Sequence, residues 1–465
     1  MSQLPSLDGP TRAFVADDVR DALQAAGGLV VDARRTRPRY FDGRFLAARD
    51  LTADQLYSDT RQRDLARAAG SGVAAGLDVT PGASATEVRI AAGLGVTPGG
   101  EAVVVPTELA VDVYALQQSE LLDGHLGLRE AERTVASRSR RGAFVLALRP
   151  VSFTANPRRG YPTSTDGDRR VEDHDIVEAT AVTLVPWPTS WTGGAAGVRR
   201  QLAREIFVAQ TGRGLPADLV PIAMLYLDGV AVSWIDPHLV RRPVGADRPD
   251  PFGLGLVNRS VRAAHVRQYA AHLAALLDAG VGAAADRFDA LPPCGPVPLD
   301  AVDRTRFTQG FFPAEVDVDL SFVPSDEIPA LLEEGLALPP IDLGAGAEAL
   351  AGTSVLVLVP VERGLFRRFQ ATLGSVRRPL TRRVGRLPVA RTPLLALSRL
   401  RLPTVATALT EGTPDPTESA PWTALFDQAV AALGEGATLW YVRRRNLDHR
   451  IEVAGDVVDI DVVVE

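Results

Sequence analysis

Asp166, Asp168, Glu172, Asp173, His174 and Asp175 crowd into the ten residues DGDRRVEDHD. Carboxylates and an imidazole at that density could hold a divalent cation. An EF-hand loop, however, needs Gly at its sixth position and Glu at its twelfth, and neither is in place. A solvated loop between strands is expected instead. His265 and His272 lie seven residues apart on one helix, ~10.5 Å along its axis, too far to share one zinc unaided. The other histidines are scattered, and no HExxH or Cys/His framework exists. Cys294, the single cysteine, sits in the proline loop LPPCGPVP with no His nearby, so neither an internal disulfide nor a nucleophile is expected. Every basic residue is Arg, which excludes a P-loop lysine, a Schiff-base lysine and a Ser–Lys dyad. The segment GAGAEA, 344–349, matches a permissive dinucleotide fingerprint, but it follows LPPIDL where a strand should be and leads to barely one helical turn before Gly352. No GxSxG elbow occurs, and no His-Asp-Ser set is suggested by spacing. The sequence thus reads as that of a non-enzyme with no cofactor and no metal.

A second cluster is basic. Arg363, Arg367, Arg368, Arg377, Arg378, Arg382, Arg383, Arg386, Arg391, Arg399 and Arg401 follow one another with a single acid, Glu362, among them. Such a strip could bind phosphate, yet only Phe366 and Phe369 are at hand for stacking, and the chain as a whole carries a net charge of −7. That balance argues against nucleic acid. A contact surface for an acidic protein partner is the better reading, and Arg377, Arg378, Arg382, Arg383 and Arg386 are its candidate residues.

These groups must be carried by several compact units, since 465 residues exceed what one core can hold. We expect an N-terminal helix with a β-meander at 1–115, an α+β middle domain at 116–300, and a C-terminal α+β domain at 301–465 with an Arg-rich linker at 377–416. The fold class is α+β, with small antiparallel β modules and interspersed helices. Leu51-Thr52-Ala53-Asp54-Gln55-Leu56 carries a helix-start signature: Thr52 caps, Gln55 reaches back, and Leu51 staples onto Leu56. The helix should run over about 53–69. Its apolar stripe is thin, Leu56, Tyr57, Leu65 and some alanines, so it needs a neighbouring subunit or its own β-domain to lie on.

Strands are expected near 73–79, 87–92 and 102–105, with GLDVTPG and GLGVTPG marking two similar hairpin turns. A charged helix follows at about 116–138, then strands at 143–153 and 176–186, and a helix near 197–210. Asp228-Gly229 signals a type I′ hairpin. The segment 258–279 is an amphipathic helix presenting Val266, Tyr269, Ala270, Leu273, Leu276 and Leu277 on one face. In the last third, strands at 314–323 and 353–361, a helix at about 422–433 and two closing strands are expected. The longest apolar run, TSVLVLVPV, is too short for the ~20 residues of a membrane span, and no secretory signal is visible, so a cytoplasmic product is expected. Trp187, Trp191 and Trp234 are either core residues or interface anchors.

The stretch RYFDGRFLAARDLTADQLYSDTRQRDLARAAGSGVAAGLDVTP, followed by VRIAAGLGVTPGGEAVVVP, resembles the N-terminal module of baseplate proteins of phage-tail-like contractile injection systems. There a YFDGQFL opening and a DF helix precede a GVxxGL strand and a GxAxxxxGxxxxVP hairpin. Tyr40-Phe41-Asp42-Gly43, Phe45-Leu46, Gly72-Val73, Gly76-Leu77 and Gly99-Gly100 to Pro106 carry the match, over about 39–106. Leu51 stands where that pattern has an aromatic residue, and AAGSG replaces an HGWG-like turn. The resemblance implies a structural subunit, a homo-oligomer that docks other baseplate, spike or fibre proteins, and that stays cytoplasmic until built into a particle, with release of that particle left open. Tyr40, Phe41, Phe45, Leu56, Tyr57 and Leu65 are the interface candidates in this module. A tail-fibre-like receptor- or glycan-binding module is the alternative.

Overall fold

The computed structural model describes residues 15–118, 140–160, 171–187, 193–210, 215–248, 257–282, 284–376, 400–411, 416–434 and 438–444. Most of the charged helix expected at 116–138, Trp191, the Arg-rich stretch 377–399 and the closing strand VVDIDVVV lie outside these residues. The observed class is α+β, with several small antiparallel sheets and interspersed helices.

Two helices open the chain, α1 (Asp17–Ala25) and α2 (Ala48–Ala69). Helix α2 begins one turn before its expected start, because Asp50 and not Thr52 organises the first turn. The Asp50 carboxylate accepts from the Ala47 backbone N–H at 3.0 Å, while the Thr52 hydroxyl donates back to the Ala48 carbonyl inside the helix.

Six short strands follow: β1 (Gly72–Gly76), β2 (Val79–Pro81), β3 (Glu87–Ile90), β4 (Gly93–Val96), β5 (Ala102–Val105) and β6 (Leu109–Asp112). They pair as two three-stranded sheets, β1-β4-β5 and β2-β3-β6. The repeated GLxVTPG stretches meet at their first glycines, Gly76 opposite Gly93, and each Thr-Pro-Gly leads into a hairpin. Gly76 has φ 57°, and a Cβ there would lie 1.9 Å from the Ala92 carbonyl oxygen, so no side chain fits this crossing.

The next sheet is built on two long strands, β7 (Arg141–Arg159) and β8 (Val171–Trp187), with β9 (Val220–Asp228) and β10 (Val232–Asp236) in the order β10-β9-β7-β8. Strand β9 covers β7 only from Arg141 to Leu148, so beyond that point β7 and β8 run on as a two-stranded ribbon. The β9–β10 turn has Gly229 at φ 107°, but Asp228 stays out of the left-handed region and instead accepts the Val230 and Ala231 N–H groups. The hairpin forms; the two-residue type I′ turn does not. One face of this sheet shares a core with the meander, in which Val88, Ile90 and Val103 meet Phe144, Leu146 and Ile222. The other face is covered by α3 (Gly194–Phe207), whose Val198, Leu202, Ala203 and Phe207 are buried at helical spacing.

Helix α4 (Arg259–Asp278) is capped by Asn258, which accepts the Ser260 N–H at 2.9 Å. Its buried face matches the expected one in part: Tyr269 and Leu273 are buried and Val266 and Leu276 pack partly against the core, but Ala264, His265, Gln268 and His272 are buried as well, while Leu277 is 44% exposed. The helix is covered on two sides, so a face mixing polar and apolar residues is removed from water.

Beyond it come β11 (Ala290–Leu291), β12 (Cys294–Val297), β13 (Val302–Asp303), β14 (Thr308–Gln309), β15 (Asp317–Pro324), α5 (Ile328–Leu336), β16 (Ile341–Asp342), α6 (Ala347–Ala351), β17 (Ser354–Val361) and α7 (Arg363–Val376). Strand β18 (Leu400–Arg401), α8 (Val405–Glu411), α9 (Pro416–Leu433) and β19 (Leu439–Arg443) complete the described chain. The order β12-β19-β17-β15-β18 makes one five-stranded sheet, in which β15 and β17 are parallel in unbroken register from Asp317 opposite Ser354 to Pro324 opposite Val361. A parallel strand covered on both faces reads as a continuous apolar run, and SVLVLVPV does. The aromatic residues Phe307, Phe322, Phe369, Trp422, Phe426 and Tyr441 fill the core on this sheet.

Candidate functional site

The stretch with the fewest internal partners is the N-terminal arm, 15–69. None of its residues is buried, although it contains a 22-residue helix. In proteins most helical stability comes from packing an apolar face, and this helix buries none, so something else must hold it.

One end is held by the body. Arg63 pairs with Glu101 at 3.0 Å, and its carbonyl oxygen lies so close to Gly100 that a Cβ there would come within 2.3 Å. Arg248 donates to the Ala68 carbonyl at the helix C-terminus, and Ser71 donates through its N–H and hydroxyl to Asp247, the latter at 2.7 Å. The segment before the helix folds back along it. Arg35 pairs with Asp64, the Arg37 guanidinium lies 5.3 Å from the Tyr57 ring centroid, and Arg44 bridges Asp50 at 2.7 Å and the Arg39 carbonyl at 2.6 Å. Hydrogen bonding to Arg67 first, and to Arg35 as well, holds the Asp64 carboxyl below the usual carboxylate range; for Asp50 the Ala47 N–H is the leading cause. The arm is thus shaped by arginine–carboxylate pairs, which order polar groups without removing apolar surface from water.

That surface is large. Of twenty-two exposed large hydrophobic side chains among the described residues, thirteen fall within 15–65, so the apolar surface is concentrated on the arm. Phe45 is 90% and Val30 91% exposed. Of the residues singled out by sequence, Tyr40, Phe41, Phe45, Leu56 and Leu65 are exposed, whereas Tyr57 is half-buried beneath Arg37. Arg377, Arg378, Arg382, Arg383 and Arg386 lie outside the described residues. Sequence reading missed Val19 and Leu23 of α1 and the run Leu29-Val30-Val31. Their signal was present: DDVRDALQA places Val19 and Leu23 one turn apart among acids.

The remaining candidates do not converge. Glu172, Asp173, His174 and Asp175 are not in a loop but on β8, where Glu172 faces Arg158, Asp173 accepts from Thr154, and Asp175 accepts from Asn156 at 2.6 Å. Pairing with β7 drew them into a strand that their polarity alone did not suggest. Among the described residues no three His, Cys, Asp or Glu side chains come together as a metal site. Residues 344–346 bridge the two-residue β16 and the five-residue α6, which is not the strand–turn–helix a dinucleotide requires. Cys294 is 2% exposed, its thiol pushed up to about 12 by burial, and it donates to the Leu332 carbonyl. Trp187 is buried, and Trp234 donates to the Ala195 carbonyl at 2.8 Å and stacks on Tyr226, so both serve the core.

No family model matches the chain, and no curated protein matches it. Among solved structures, a chain of the type VI secretion system TssK-TssF-TssG baseplate subcomplex is similar at 13% identity and a TM-score of 0.23, over 52% of this chain and 71% of that one. A chain of the baseplate complex from the type VI secretion system is similar at 12% identity and a TM-score of 0.22, over 84% of this chain and 99% of that one.

Proposed function

We propose that this chain is a structural subunit of the baseplate of a phage-tail-like contractile injection particle, and that it joins a second copy of itself through the N-terminal arm while docking other baseplate, spike or fibre proteins. The resemblance of 39–106 to such modules suggests the setting. The observation that carries the reading is the arm itself, fifty-five residues of ordered chain with no buried side chain. Each Leu or Phe that leaves water on docking contributes about 1.5–3 kcal/mol, so a few of the exposed residues suffice for a stable contact. A second copy suits the arm's charge: it holds ten Arg and nine Asp, a nearly balanced net +1, so the Arg of one arm can face the Asp of the other with little net repulsion.

Phe45→Asp and Val30→Asp test this, because both side chains are so exposed that the monomer fold does not depend on them. Light scattering of the full chain at micromolar concentration is expected to show an oligomer, and each variant is expected to shift it towards monomer with unchanged circular dichroism. Co-expression with the genes that flank it is expected to place the wild-type chain in sedimenting tail-like particles. A monomeric wild type, or an oligomer indifferent to both substitutions, overturns the arm contact. Particles that assemble fully without the chain overturn the baseplate role.

A further inference from the structure

Helix α4 joins two cores. Ala264 packs with α3 and the inner face of β7 and β9, whereas Tyr269 and Leu273 belong to the core of the five-stranded sheet. His265 and His272 lie on this joint, buried to 2% and 5% exposure. The His265 ring stacks on Phe207 of α3 at 4.4 Å and 8°, and the Arg242 guanidinium lies 5.5 Å from the same phenyl ring. His272 meets Phe288 edge-on at 5.1 Å. Neither His265 Nε2 nor His272 Nδ1 has a hydrogen-bond partner.

The charges around the pair are unbalanced. From the 237–239 turn and its flanks come Asp236, His238, Arg241 and Arg242, and α3 carries Arg199, Arg200, Arg204 and Glu205. On α5 stands Glu333, paired with Arg259 of α4, and on β12 only the neutral Cys294 thiol. Arg267 lies on α4 itself. The carboxylate within the buried joint is Asp236, and it is already committed to Arg199 at 2.9 Å and to Gln268 at 3.2 Å. At the outer edge Asp289 is held by Arg200 at 3.2 Å, and Asp342 by Arg204 at 2.6 Å. His265 keeps one hydrogen bond with the Ala290 backbone, which favours the charged ring, but a proton arriving on its Nε2 or on His272 Nδ1 meets arginines and aromatic faces.

We propose that this joint is an acid-sensitive latch: proton uptake by His265 and His272 frees α4 from α3 and the 237–239 turn, separating the β7–β10 sheet from the C-terminal sheet while each keeps its own core. Burial pushes both imidazoles from their ordinary 6.5 down to about 3, with Arg242 adding to the effect at His265 and Arg199 at His272. The folded pKa lies below the unfolded one, so closure is at full strength above pH 6.5 and weakens as pH falls towards 3. Each pH unit in that interval favours the open form about tenfold per histidine, hence about a hundredfold for the pair. Asp342, held below its usual range by Arg204, loses its contribution only at the acid end of that interval.

Hydrogen exchange of the full chain at pH 7.5, 6.0 and 5.0, corrected for intrinsic rates, reads the opening. Amides of α3 and α4 are expected to lose protection steeply with acid while those of β15 and β17 keep theirs. His265→Gln and His272→Gln, neutral at every pH, are each expected to halve that dependence, and the double variant to remove most of it. If the double variant is unstable at pH 7.5, the single His272→Gln still reads the halving. An undiminished pH dependence in the variants, or loss of β15 and β17 protection in step with α4, overturns the latch.

Discussion

At the scale of single residues, the buried polar groups are the sensitive ones. Asp236 is 1% exposed and faces Arg199, which is itself buried. Asp236→Asn is expected to destabilise the chain by about 3–5 kcal/mol, read by urea denaturation, because it strands a guanidinium in a low-dielectric site. Replacing both partners by apolar residues should cost much less. Cys294 behaves oppositely: its thiol is buried and kept protonated, and its Sγ–H donates to the Leu332 carbonyl, so no thiolate is available to react. Reaction of the native chain with a disulfide reagent at pH 8 is expected to be slow and to become fast only in denaturant. Rapid labelling under native conditions would show that the proline loop opens. Cys294 was readable in the sequence as an inert thiol, since no His accompanies it. The Arg199–Asp236 pair was not, because thirty-seven residues and a hairpin separate its members and no spacing rule connects them.

At the scale of elements, α2 shows how a helix can be well defined and yet contribute little to the core. Its first turn depends on Asp50, which binds the Ala47 N–H and pairs with Arg44. Asp50→Ala is expected to fray the first turn at a local cost of about 1 kcal/mol, visible as faster exchange of the amides just after Ala48, with no change in the global melting temperature. A global shift would mean that the free end of the arm packs on the body after all. The existence and thin apolar stripe of this helix were legible in the sequence, and its start was one turn off because Thr52 competes with Asp50 as an organiser. Strands β15 and β17 were each legible, but their parallel pairing was not, since the sequence suggested only antiparallel modules. The face of α4 was legible only in part: a period-3.6 reading finds the buried Tyr269 and Leu273, but it also selects the exposed Leu277, and it misses His265, Gln268 and His272, which packing on two neighbours buries. The β7–β8 ribbon was not legible: its distal strand is polar, and only the cross-strand partners of β7 make a strand of it.

At the scale of the whole molecule, buried and exposed apolar side chains are concentrated in different parts of the chain. The buried side chains lie from Val73 onward, in the core beneath the meander and β7–β10 and in the core of the five-stranded sheet. The arm adds exposed apolar residues and touches the body through its last turns, at Arg63, Ala68 and Gly70. Removing residues 1–61 spares those contacts and deletes twelve of the thirteen exposed apolar side chains of 15–65. The shortened chain is therefore expected to melt within a few degrees of the full one and to stay folded by near-ultraviolet circular dichroism, since no buried side chain is lost. It is expected at the same time to run as a monomer in light scattering. The two readouts separate the causes. A large fall in melting temperature would place part of the fold's stability in the arm, whereas an intact oligomer would move the contact surface to the body, where the ribbon beyond Leu148 is the next exposed element.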